Sequence, residues 1–201
     1  MRTFLLILLP LILLSVISCK KRPSDNNTLY VSPATAHFKA IEQDDTRVIN
    51  QNPKMVDAYI SRSINRSILG DYKGALMDDE YALKLDPKKT GCYFGIGQDK
   101  EALKDYPGAI AAFTKLISIH SNNDLGYSYR AGVYQKMHNY KAALNDYNHA
   151  ITINPDYGET YKWKGELELE MKNRSEACSD FNKALKLGDK SAEFDIKNNC
   201  N

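Results

Sequence analysis

Three oppositely charged pairs recur at one spacing: Arg62 and Asp78, Arg130 and Asp146, Lys164 and Asp180, each sixteen residues apart. A guanidinium or ammonium held opposite a carboxylate can present a charged row to a ligand, or it can tie two segments of chain together. Thirty-four residues after Arg62 and Asp78 stand Ile96 and Ala112, so both partners are replaced together. That favours a structural ion pair, because removing only one member would leave a buried charge without compensation. Thiol chemistry is available at Cys19, Cys92, Cys178 and Cys200. His37, His120, His138 and His149 fall at no metal-ligand spacing, and no dinucleotide loop, phosphate loop or nucleophile elbow occurs. Gly95-Ile96-Gly97 lacks the further spaced glycine that a phosphate-cradling turn needs. The expectation is a protein without catalytic residues, metal or cofactor.

The element that must carry these pairs is a repeat. Tyr59, Tyr93, Tyr127 and Tyr161 are 34 residues apart, as are Ala75, Ala109, Ala143 and Ala177. Four windows follow without a gap, 56–89, 90–123, 124–157 and 158–191. Their eighth place is always small (Ser63, Gly97, Ala131, Gly165). Apolar residues in each window fall in two blocks of helical spacing. Asp71, Asp105, Asn139 and Asn173 lie between the blocks, where a turn and an N-cap are wanted. Ala40-Ile41 and Val48-Ile49 continue the pattern upstream as a partial unit over 37–55, and Ala192, Ile196 and Cys200 share one face of a short helix over 192–201. One helix pair cannot bury its own apolar stripe, so the units must stack, and the last one needs a cap.

The 34-residue period with an aromatic, a small residue and an alanine at these places resembles the tetratricopeptide repeat (TPR) family over about residues 37–191. Two departures stand out: Asp79 replaces the aromatic supplied by Phe113, Tyr147 and Phe181, and Ser121 replaces a closing proline. Asp79 is open to two readings, a local irregularity or a buried functional carboxylate. The resemblance implies an all-α fold, a right-handed superhelical α-solenoid of helix-turn-helix repeats with a C-terminal capping helix. It also implies that the first helix of each unit lines a concave groove. The groove places are then Ile60 and Ile64, Phe94 and Gln98, Tyr129 and Gln135, Trp163 and Glu166. Phe94, Tyr129 and Trp163 form either an apolar stripe for a ligand or a packing seam between neighbouring first helices. Family members that clamp a terminal carboxylate use Lys, Asn and Arg where this chain has Ile60, Ile64, Gly95, Leu125 and Tyr129, which disfavours that ligand class.

Cys178 stands where other windows have Leu76, Ile110 and Leu144, an inward place, and Cys200 lies on the apolar face of the cap. A disulfide between them would staple the cap, and two packed thiols is the alternative. Cys92 is left over as a packed thiol.

Ahead of the repeats, Met1–Ile17 carries one Arg and an apolar run from Phe4 to Leu14 interrupted by Pro10. The run is too short for a hydrocarbon core and has the form of a secretory signal over residues 1–18. Val16-Ile17-Ser18-Cys19 resembles the lipobox of bacterial lipoproteins, in which the cysteine is acylated and becomes the new N-terminus. Residues 19–36, with Lys20-Lys21-Arg22, are then a lipidated cysteine and a polar tether. Removing 1–18 takes away only Arg2 among the charged residues, so the remaining chain is near neutral. Neutrality excludes a field suited to nucleic acid.

Together these readings describe a membrane-anchored TPR adaptor, exported to the cell envelope and attached to the outer membrane of a Gram-negative cell. Its partner is a protein or peptide segment bound in the groove. The rival is a structural or assembly factor, pilotin-like, that oligomerises through repeat edges. An accessory enzyme subunit fits least, since Lys20–His37 leaves no room for a separate site.

Overall fold

The computed structural model describes residues 32–200, which form ten α-helices and, among those residues, no strand. The helices are α1 (Pro33–Gln51), α2 (Val56–Ile68), α3 (Tyr72–Leu85), α4 (Cys92–Ala102), α5 (Tyr106–Ile119), α6 (Asp124–Lys136), α7 (Tyr140–Ile153), α8 (Gly158–Glu170), α9 (Arg174–Lys186) and α10 (Ala192–Asn199). Each packs on its neighbour in sequence, and α2, α4, α6 and α8 also touch one another in order. This is an all-helical solenoid of stacked hairpins, with α2/α3, α4/α5, α6/α7 and α8/α9 as the four units. The signal, Cys19 and the tether up to Val31 lie outside the described residues, as does Asn201.

Local chemistry sets the helix starts. The carboxylates of Asp71 and Asp105 accept from the backbone N–H of Gly74 and Gly108 at 3.0 Å, and the Asn139 carbonyl accepts from Ala142 at 3.3 Å. Asn173 departs from this role, and its amide instead donates to Glu168 at 2.7 Å. α1 begins earlier than the repeat phase suggests. Ser32 accepts from the N–H of Thr35 and Pro33 occupies the first turn, so the helix reaches into the stretch expected to be tether. Each turn between paired helices passes through one residue of positive φ, at Gly70, Lys104, His138 and Lys172. Only the first of these four uses the residue that adopts that conformation without strain.

The core follows the repeat. Ala75, Ala109, Ala143 and Ala177 are fully buried, one at the same place in each unit. In the second and fourth units a glycine faces an aromatic ring. A Cβ on Gly97 would lie 2.5 Å from Phe113, and one on Gly165 would lie 2.7 Å from Phe181. α10 closes the stack with Ala192, Ile196 and Cys200 against Ala177, Phe181 and Ala184. Cys178 and Cys200 are bonded as a disulfide, with Cα atoms 5.6 Å apart. Cys92 is a buried free thiol, pushed up to about 12 by burial and by the adjoining Asp79 carboxylate, and is therefore unreactive.

The recurring charged pairs join the two helices of a unit. Arg62 donates through Nε and Nη2 to both oxygens of Asp78 at 2.8 and 2.6 Å, and Arg130 does the same to Asp146 at 2.7 and 2.9 Å. Lys164 reaches Asp180 at 2.7 Å. Each arginine also donates Nη1 to a threonine of the preceding unit, Thr46 or Thr114, so one side chain ties three helices. At the equivalent place in the second unit Ile96 and Ala112 are both buried. The pairs are thus part of the scaffold between layers.

Candidate binding groove

The eight groove residues implied by the family resemblance line two cavities on the side formed by the first helices. Ile60, Ile64, Phe94 and Gln98 line a cavity of about 260 Å³ between α2 and α4. Tyr129, Gln135, Trp163 and Glu166 line one of about 410 Å³ between α6 and α8. Phe94, Tyr129 and Trp163 also form a continuous seam. Phe94 meets Tyr129 edge-on at 4.8 Å between centroids, and Tyr129 meets Trp163 edge-on at 5.5 Å. Both readings of these rings therefore hold at once: they pack helix on helix, and their half-buried outer faces form the groove wall.

The larger cavity has an acidic rim. Glu101, Glu166 and Glu170 face it, with Lys136 and His138 as the basic groups. Lys136 pairs with Glu101, Lys162 approaches Glu166 at 3.3 Å, and Gln135 donates to Glu170 at 2.8 Å. The hydroxyl of Tyr147 reaches Gln135 at 3.3 Å from below. Burial raises the Tyr129 and Tyr147 phenols, so both stay neutral donors at physiological pH. Glu101 holds the same twelfth place in its window as Gln135, one of the places that the family resemblance implies for the groove. Glu170 and Lys136 occupy the thirteenth place, and no feature of the sequence marks that place as facing the groove.

The smaller cavity is mostly apolar, with Ser63, Ser67, Ile68, Asp79, Gly91, Cys92 and Gly95 completing it. Asp79 is only 3% exposed, and its Oδ2 has no hydrogen-bond partner. Burial pushes its carboxyl up to about 6; Ser63 and Cys92 oppose the rise, and the charges of Asp99 and Asp78 add to it. Asp99, also buried, accepts from Ser67 at 2.7 Å and is raised by desolvation. Among the described residues no group of three His, Cys, Asp or Glu side chains is placed to hold a metal ion, and no helix is long and apolar enough to cross a membrane.

Comparison with known proteins agrees with this architecture. Residues 124–157 match the family model described as tetratricopeptide repeat, the same bounds as the third window. No curated protein matches the sequence. Among solved structures, the chain is similar to MamA, at 21% identity and a TM-score of 0.68, over 80% of this chain and 94% of that one. A thermophilic TPR protein of Thermus thermophilus, TTC0263, aligns at 19% identity and a TM-score of 0.68, over 82% and 90%. YrrB, described as a TPR protein with an unusual peptide-binding site, aligns at 14% identity and a TM-score of 0.63, over 82% and 86%. These likenesses establish the fold of a TPR solenoid.

Proposed function

We propose that this protein is a membrane-anchored adaptor that binds an extended or helical segment of a partner protein in its concave groove, within a complex of the cell envelope. One observation carries the reading: all eight groove residues that the family resemblance implies line two cavities on the side formed by the first helices, joined by the Phe94–Tyr129–Trp163 wall. Rigid aromatic side chains at the centre of a concave surface are the usual anchors of protein recognition. The near-neutral chain gives little long-range steering, so selectivity rests on those anchors and on the acidic rim.

Attachment is assigned to Cys19. A diacylated N-terminal cysteine holds the protein at a membrane, since more than one acyl chain is needed for stable anchoring. The outer membrane of a Gram-negative cell is the location this implies. The tether confines the groove to a layer near the surface, which raises the effective concentration of a partner in the same membrane.

Crosslinking in native membranes with identification by mass spectrometry tests the reading. Trp163→Ala and Tyr129→Ala should each weaken capture by about thirtyfold, the loss of a binding hot spot, with helical content unchanged. Undiminished capture by both variants refutes groove binding. Cys19→Ala should abolish membrane association and the acyl mass increment. The rival reading, self-association through repeat edges, draws on Phe194 of α10, which is 72% exposed. A single species of monomer mass in sedimentation removes it.

A further inference from the structure

The two halves of the groove differ in a way that repeat phase makes exact. At the second and third junctions the second-helix aromatic of one repeat packs on the sixth-place residue of the next. Phe113 lies 6.0 Å from Tyr129, and Tyr147 and Trp163 share one core cluster. At the first junction the same two places hold Asp79 and Gly95. Two rings are replaced by one carboxylate and no side chain, and the smaller cavity occupies that space. The exchange extends to a third place, where Ser63 stands opposite Asp79 instead of a glycine or alanine opposite a ring. A Cβ at Gly95 would lie 2.6 Å from Asp79 Oδ2, so the glycine is what leaves that oxygen room.

The geometry points to this cavity as the seat of a lysine side chain of the partner segment, its methylenes against Ile60, Ile64 and Phe94 and its ammonium on Asp79 Oδ2. The inference rests on the groove reading above. The cavity wall is chiefly apolar, which suits the four-carbon stem of lysine. A carboxylate oxygen that is buried and unpartnered is costly in the free protein, and a cation supplies what it lacks. The charged neighbours that act on it, Asp99 and Asp78, are both negative, and Asp78 is already engaged by Arg62 and Arg66. Only one oxygen lacks a hydrogen-bond partner, which favours a compact ammonium over a guanidinium, whose fork needs two.

The test is selection of random twelve-residue peptides, displayed on their own messenger RNA, against the immobilised full chain in detergent. Selected peptides should share a lysine at one fixed position. Replacing that lysine with norleucine should weaken binding to the wild type by about thirtyfold or more, the cost of unpairing a buried charge. The same replacement should change little in Asp79→Asn, an isosteric variant that retains the fold. Ile64→Ala should weaken the lysine peptide, whereas Trp163→Ala should lower affinity without altering the lysine preference. Peptides selected without a fixed lysine, or equal binding of the norleucine peptide to the wild type, overturn the assignment while leaving groove binding intact. Failure to select any peptide overturns groove binding and this assignment with it.

Discussion

Replacing the charged pair of the third unit by the residues that the second unit already uses gives a test with its control built into the chain. Arg130→Ile alone leaves the Asp146 carboxylate, whose side chain is 4% exposed, without the donors now at 2.7 and 2.9 Å. An uncompensated buried charge costs about 3–5 kcal/mol. Asp146→Ala alone should cost less, because the guanidinium keeps Thr114 at 2.9 Å and the Tyr127 ring at 5.5 Å and is the more exposed partner. The double variant recreates the buried Ile96–Ala112 arrangement, so it should lie within about 1 kcal/mol of the wild type. The coupling between the two sites is then about 3 kcal/mol or more, well above the few tenths expected of independent positions. Urea unfolding followed by helical circular dichroism reads the whole array. Fluorescence of Trp163, the single tryptophan, reads the adjoining helix. A double variant as unstable as the sum of the two singles refutes the view that these pairs are interchangeable scaffold.

Other outcomes follow from the same structure. Asp79 is lifted from the ordinary 3.8 to about 6, so its ionised form opposes folding. The stability it contributes is complete below pH 4 and is lost as the pH rises through 6; at about 1.4 kcal/mol per pH unit this is about 3 kcal/mol. Asp79→Asn should therefore match the wild type at pH 4 and exceed it by that amount at pH 7, and equal unfolding midpoints at both pH values would contradict this. Opening the Cys178–Cys200 bridge, which spans 22 residues, should cost about 3 kcal/mol by loop entropy. Thermal melts of the Cys178→Ser/Cys200→Ser variant check it, and an unchanged melt would show that the staple contributes nothing. His138→Gly and Lys172→Gly relieve positive-φ backbone at two turns and should each stabilise by about 0.5–1 kcal/mol in the same melts.

What could be read from the sequence was whatever the 34-residue period repeats. Tyrosine, alanine and small-residue places fixed the number of units, the pairing of helices and the location of the ion pairs, because a stacked unit meets the same neighbours each time. The eight groove residues came from the resemblance to the TPR family, which implies which places of that period face the groove. Features that belong to one junction, or to three bodies at once, were harder to see. The threonines that complete each arginine lie sixteen residues upstream in the preceding unit, and Thr46 and Thr114 do not look different from any exposed helical threonine. The positive-φ turn place was concealed because three of its four occupants are Lys104, His138 and Lys172, where glycine would have announced it. The start of α1 differs for another reason: Ser32-Pro33 is a helix signal that lies outside the repeating pattern, so the helix begins ahead of the boundary that phase predicts.

The places where periodicity fails carry the most information about function. A scaffold position is constrained by its copies in every unit, so a departure at one copy has a local cause. Ile96 with Ala112 is a departure that keeps burial and removes charge, and it leaves the helix contact intact. Asp79 with Gly95 and Ser63 does the reverse: it gives up aromatic packing, hollows out the junction and places an unpartnered oxygen inside it. The first exchange is neutral to the fold, and the second weakens it at neutral pH. A chain that only needed to stack would gain by filling that space with a ring, as it does at both later junctions. The unfilled site is therefore accounted for by the lysine side chain proposed to enter it.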